Sequence, residues 1–416
     1  MTKLRRELTM NINKSNVLKP RILVLIDYYL PGYKAGGPLR TLYSMVDQLS
    51  DCFQFLIVTR DRDVNDSHPY DGLETGVWTS QGKAQVFYIP KNQWGVCSIR
   101  RILRETSYDI LYLNSFFSPW MAGLPLLLRY LKQFDPVSII LAPRGEFSPG
   151  ALQLKAGKKK LYMAVLFSLG LCRNLIWQAS SDKEGVDIYN VFHKAGKGSD
   201  IKIAPDLPNL LYANKYIPND NQISPTRLNP TRLNSLKILF ISRISPMKNL
   251  DFLLRVLRNV SSLVDLSIYG PIDDSNYWSI CQALINDLPR QIKFEFGGEI
   301  EHERVGEIFK QHDLFAFPTR GENFGHVIIE SLCAGTPVIV SDQTPWIAAP
   351  DGALEVLPLD AEKWRAAIER WANMQDSVLL KMRRGAFAYA KSYLESNNAL
   401  EQNKELFFSA MKNRVK

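Results

Sequence analysis

From Arg21 onward, short runs of Val, Ile, Leu and Phe alternate with amphipathic segments. That alternation predicts parallel strands joined by crossover helices. RILVLID, FQFLIVT, DILYLN, VSIILAP and NLIWQA are the strand candidates of the first half. The same rhythm restarts with KILFIS, VDLSIYG, IKFEFGG, LFAFPT and PVIVSD. Between the two series lies a polar stretch, about Pro205 to Ser235, holding the tandem repeat PTRLNPTRLN at Pro225 to Asn234. It reads as an insertion-tolerant linker. The expected fold class is α/β, two Rossmann-like doubly wound domains facing across a cleft. The expected divisions are a basic tail at 1–20, domains at 21–204 and 236–395 around the 205–235 linker, and a C-terminal helix at 396–416 able to pack back on the first domain.

A length of 416 residues with 46% hydrophobic content fits two cores better than one. The longest apolar run, Leu161 to Cys172, ends at Arg173. It falls well short of the roughly 20 residues of a spanning helix, and reads as a core helix rather than a membrane anchor. The first twenty residues carry Lys3, Arg5 and Arg6 without an apolar signal-peptide segment, so secretion is not expected. Five widely spaced cysteines with no CxxC pair argue against a disulfide framework or a zinc site and fit a reducing cytoplasm. Charge is uneven: residues 1–205 hold 27 Lys and Arg against 17 Asp and Glu, a balance of +10, and the remainder holds 24 against 25, a balance of −1. The basic residues show no aromatic interleaving of nucleic-acid type, so no nucleic acid is expected. An anionic membrane surface, a phosphorylated acceptor and ordinary surface charge all remain open.

Four stretches follow strands, where doubly wound domains bind ligands. In PGYKAGGPLRTLYSMVDQL, Gly36 and Gly37 precede a helix start and would let backbone N–H groups approach phosphate, although glycines also serve plain turns. In ISRISPMKN, Arg243 and Lys248 stand five residues apart beyond a strand, able to bracket a diphosphate or simply to be solvated. In RGENFGHVIIESLCAGTP, Glu322 precedes a helix start and Glu330 rides the helix, eight residues on. Two acceptors beside a positive helix end suit a polyhydroxylated, phosphorylated ligand; a loop carboxylate plus a solvated one is the plain alternative. His326 either faces that ligand or packs. In LAPRGEFSPGALQLKAGKKKLYM, Arg144 and Glu146 sit at a strand end ahead of Lys155, Lys158, Lys159 and Lys160. A rival signal is Asp61 and Asp63, a D-x-D spacing that can hold a divalent cation, here inside the self-neutralised RDRDVND. No metal is expected.

GENFGHVIIE followed by AGTPVIVSD resembles the E-x7-E motif of retaining family 4 glycosyltransferases, known also as glycosyl transferases group 1. ISRISPMKN resembles that family's Arg-x4-Lys element, and YLPGYKAGGPLRTL its N-terminal glycine loop. The likeness runs from about Arg21 to the C-terminus and is most specific in the second half. It implies GT-B architecture, with the donor nucleotide held mainly by the second domain. It further implies Arg243 and Lys248 on the donor diphosphate, Glu322 on the transferred sugar and Glu330 on the ribose. Asn323, Phe324 and Gly325 would offer backbone N–H groups, joined by Gly36 and Gly37. PRGEFSPGAL resembles a segment of members that build bacterial surface polysaccharides, which makes Arg144 and Glu146 acceptor candidates, with Asn114. A histidine that many relatives carry after the strand DILYLN is replaced here by Asn114 and Ser115. The implied function is transfer of a sugar from a nucleoside diphosphate sugar to a lipid-linked saccharide acceptor with retention of configuration, by a cytoplasmic enzyme resting on the inner membrane face and needing no cofactor. A nucleotide-sugar epimerase and a non-catalytic nucleotide-sugar-binding subunit are the alternatives.

Overall fold

A computed structural model of the chain describes residues 19–193, 200–217, 235–396 and 398–412. The first domain is an eight-stranded sheet of β1 (Arg21–Leu25), β2 (Gln54–Arg60), β3 (Trp78–Gln81), β4 (Ala84–Ile89), β5 (Ile110–Asn114), β6 (Ser138–Ala142), β7 (Ile176–Ala179) and β8 (Asp200–Ile203). Their order across the sheet is β3-β4-β2-β1-β5-β6-β7-β8, with β3 alone antiparallel to its neighbour. The second domain is a parallel six-stranded sheet. It comprises β9 (Leu236–Ile241), β10 (Val264–Tyr269), β11 (Ile292–Gly298), β12 (Leu314–Phe317), β13 (Val338–Ser341) and β14 (Leu354–Leu357), ordered β11-β10-β9-β12-β13-β14. All ten runs read as strands fall on strands. A parallel strand covered on both faces is apolar throughout, and in β1 Leu23 and Leu25 enter one core while Ile22 and Val24 enter the other.

Two segments differ from the sequence reading. Residues 205–217 do not behave as a polar spacer: Leu207 is buried in the first domain's core, and the helix Leu210–Tyr216 buries Tyr212, Ala213 and Tyr216 in the second. Its start is fixed by Asn209, whose side chain accepts from the Tyr212 N–H at 3.1 Å. The repeat at 225–234 lies outside the described residues. The terminal helix Ala399–Lys412 crosses back to the first domain, where Phe407 meets Phe53 and Tyr112 with ring centroids 5.2 and 5.8 Å apart. Helix Ala156–Ser168, expected in the core, buries only Leu166 fully and leaves Leu161 68% exposed.

Candidate functional site

The carboxyl ends of both sheets converge on one cleft of about 410 Å³. The loop after β1 contributes Gly36 and Gly37, that after β6 Arg144 and Glu146, that after β9 Arg243 and Lys248, and that after β12 the run Glu322–Gly325. Glu330 lines it from the helix His326–Cys333. Eleven of the twelve site candidates therefore share one cavity; Asn114 stands behind it. Backbone geometry brings the four stretches into contact. A Cβ on Gly36 would lie 3.7 Å from Arg243 Nε, and one on Gly145 would lie 3.2 Å from Asn323 Cβ.

Two helix starts face this space without a side-chain cap. Helix Gly37–Leu49 begins after Gly36 at φ +72°, with Pro38 in its first turn, and helix His326–Cys333 begins after Gly325 at φ +79°. Positive φ favours glycine at both. Uncapped N–H groups and the positive helix end are features that suit an anion. Tight crosslinks hold the second-domain loops: Arg320 N–H donates to Met247 O at 2.8 Å, and Asn249 Nδ2 donates to Pro318 O at 2.9 Å. Those bonds set Lys248 against Glu322, with which it pairs, and over the Phe317 ring at 5.4 Å. Arg243 is 42% exposed, lines the cleft and, among the described residues, pairs with Asp273 at 3.3 Å.

Glu330 is neither solvated nor alone. It is 3% exposed, and Arg40 Nη1 of the first domain donates to both of its oxygens at 3.0 and 3.1 Å. His326 Nε2 lies 2.8 Å from Thr41 Oγ1, which donates to Asp206 Oδ2 at 3.1 Å. Asn323 joins the same cluster, receiving Ser180 Oγ at 2.8 Å and donating to Asp206 Oδ2 at 3.3 Å. Arg40, Thr41, Ser180 and Asp206 escaped the sequence reading. Arg40 stood within the glycine-loop motif, in GGPLR, but Asp206 lay in the presumed linker.

Two of the acceptor candidates, Arg144 and Asn114, hold each other, and Glu146 is held by its own neighbours. Arg144, at φ +56°, donates Nε to Asn114 Oδ1 at 2.9 Å and Nη2 to Tyr112 OH at 2.5 Å, and pairs with Asp206. Glu146 accepts from Ser115 Oγ at 2.7 Å and from the Phe116 and Phe117 N–H groups at 2.6 and 3.1 Å. Burial pushes the Glu146 carboxyl up, against those bonds and nearby Lys159. Lys159 lines the cleft itself, and burial lowers its pKa. Asp61 and Asp63 are occupied: Asp61 by Arg62 and the Lys91 N–H, Asp63 by the N–H groups of Tyr33, Lys34 and Val64. Among the described residues no cluster of His, Cys, Asp and Glu could hold a metal ion.

Residues 227–385 match the family model Glycosyl transferases group 1. The chain is 28% identical over 170 residues to a D-inositol 3-phosphate glycosyltransferase of Mycobacteroides abscessus, covering 34% of this chain and 38% of that one. It is 29% identical over 105 residues to the O-antigen chain mannosyltransferase RfbU of Salmonella typhimurium, covering 25% and 30%. The chain thus spans well under half the length of these relatives. Among solved structures, Anabaena Alr3699/HepE in complex with UDP-glucose superposes with a TM-score of 0.64 at 17% identity, over 94% of this chain and 99% of that one. The fold is GT-B.

Proposed function

We propose that this GT-B chain, whose second domain matches glycosyl transferases group 1, moves a sugar from a nucleoside diphosphate donor to a saccharide acceptor with retention of configuration. The acceptor is a lipid-linked glycan of surface polysaccharide assembly, a reading supported by the likeness to an O-antigen mannosyltransferase. One observation carries the proposal: two uncapped helix starts and the cations Arg243 and Lys248, from three separate stretches of chain, converge on one cleft. A diphosphate fits that charge pattern. The Glu322 and Glu330 carboxylates on the same wall suit the hydroxyls of the sugar and the ribose.

In this reading the bond from the anomeric carbon to the β-phosphate oxygen breaks as the acceptor hydroxyl attacks on the same face. The acceptor proton passes to the departing diphosphate, so no protein nucleophile is required. Lys248 and Arg243 meet the charge that grows on that leaving group. Glu322 orients the sugar while its own position is fixed by Lys248. Turnover proceeds without added divalent metal, because Asp61 and Asp63 are spent on Arg62 and on loop N–H groups. Incubation with a panel of nucleotide sugars tests the proposal. Free nucleotide released only when acceptor is present, with the product's anomeric coupling matching the donor's, is the expected result. Epimerised donor without acceptor, or binding without turnover, would replace this reading. Loss of activity in chelator, restored by manganese and absent in Asp61→Ala, would overturn its metal-free part.

A further inference from the structure

The helix Ala156–Ser168 starts with Lys158, Lys159 and Lys160 and carries no acidic residue. Its outer face is apolar: Leu161, Val165 and, just past its end, Leu169 are 68%, 47% and 44% exposed, and they recur every fourth residue. Leu154, 42% exposed, precedes the helix. The patch continues at the helix's far end. There Arg129 donates to Leu171 O and Arg173 O at 2.8 and 2.7 Å, beside Tyr130 and Leu131, 57% and 52% exposed. Lys155, Lys158, Lys160, Lys132 and Arg173 are exposed around it. Soluble proteins rarely leave such a stripe uncovered.

We propose that this face docks on an anionic lipid bilayer, the leucines entering the boundary between headgroups and acyl chains and the lysines pairing with lipid phosphates. Charge decides between a bilayer and a second copy of the chain. A two-fold interface would set one lysine-rich patch against its twin, whereas an anionic leaflet complements it. Lys159, between Lys158 and Lys160, turns inward to the cleft, so a docked chain holds its cavity beside the membrane plane. That orientation gives a lipid-borne acceptor a short path to the donor. The last step rests on the glycosyltransfer reading; the docking does not.

Co-sedimentation of the full chain with phosphatidylcholine vesicles, with and without phosphatidylglycerol, tests the proposal. The chain should partition onto the phosphatidylglycerol vesicles. Partitioning should fall by at least about tenfold both in Lys158→Glu/Lys160→Glu and in Leu161→Gln/Val165→Gln/Leu169→Gln. Thermal shift with a nucleoside diphosphate should be unchanged in both variants, which shows them folded. Absence of wild-type partitioning, or variants that partition like wild type, would overturn the docking. So would a wild-type dimer that the leucine variant dissolves, since a second copy would then cover the face. Failure of every nucleotide sugar to shift the wild-type melting temperature would count against the glycosyltransfer reading alone.

Discussion

Glu322 and Glu330 share a cleft wall yet are tied differently, one to a lysine of its own domain and one to an arginine of the other. Arg40 uses a single nitrogen for both Glu330 oxygens, so the carboxylate keeps lone pairs for a ribose. Glu330→Ala should therefore weaken bare nucleoside diphosphate by about ten- to a hundred-fold, the roughly 1.5 to 3 kcal/mol of a charge-assisted hydrogen bond. Glu322→Ala should leave the bare diphosphate nearly unaffected and depress turnover, because in the proposed function its partner is the sugar that moves. Calorimetry with the diphosphate and with the intact nucleotide sugar separates the two roles. Equal weakening of the diphosphate by both variants would contradict the division. Arg144 shows where reading single residues stops. Its place at a strand end was legible, but its engagement by Asp206, 62 residues on, is a product of the fold.

At the scale of elements, the loop-to-helix joint at Gly325 is the most constrained feature of the site. A Cβ there would sit 2.8 Å from Ile328 Cδ1, on a backbone at φ +79°. Gly325→Ala should cost about 1 to 2 kcal/mol of stability and tilt the helix start away from the donor. Gly37, with φ outside the left-handed region and open space around its Cβ, is the control. Its alanine variant should melt within about 0.5 kcal/mol of wild type. A second element carries a pH signature. His312 is buried, and burial lowers its pKa below the ordinary 6.5, although its Nδ1 lies 2.7 Å from Ile308 O. The unfolded chain takes up a proton first as pH falls. The stability is thus complete above the ordinary histidine value and is lost as pH drops through it toward the folded one. Urea midpoints should decline from about pH 7 to pH 5, and less steeply in His312→Gln. Strand legibility followed burial only in part. Of the four strands outside the ten runs, β3, β8 (Asp-Ile-Lys-Ile) and β14 sit at sheet edges with partly exposed, mixed side chains that carry little signal, whereas β4, buried at all but Gln85 and interior to its sheet, went unread despite its burial.

For the whole molecule, polar contacts join the domains: Arg40 to Glu330, Thr41 to His326, Asn323 to Ser180 and Asp206, and Lys183 Nζ to Asp342 O at 3.3 Å. Such interfaces permit relative domain motion. The sequence reading located the cleft because each wall has its own motif. It could not foresee these latches, since each joins residues more than 100 positions apart. Arg40→Ala exposes what the latch does. In the closed arrangement it strands the Glu330 carboxylate, 3% exposed, without its guanidinium partner, a penalty of about 3 to 5 kcal/mol if nothing moves. Opening the cleft rehydrates the carboxylate and removes the penalty at once. The variant should therefore melt close to wild type while its radius of gyration in small-angle scattering grows. Saturating nucleotide sugar, which the proposed function sets between both walls, should draw it back. A radius equal to wild type, joined to a melting temperature lowered by several degrees, would instead mean that Arg40 and Glu330 weld the two domains into one rigid body.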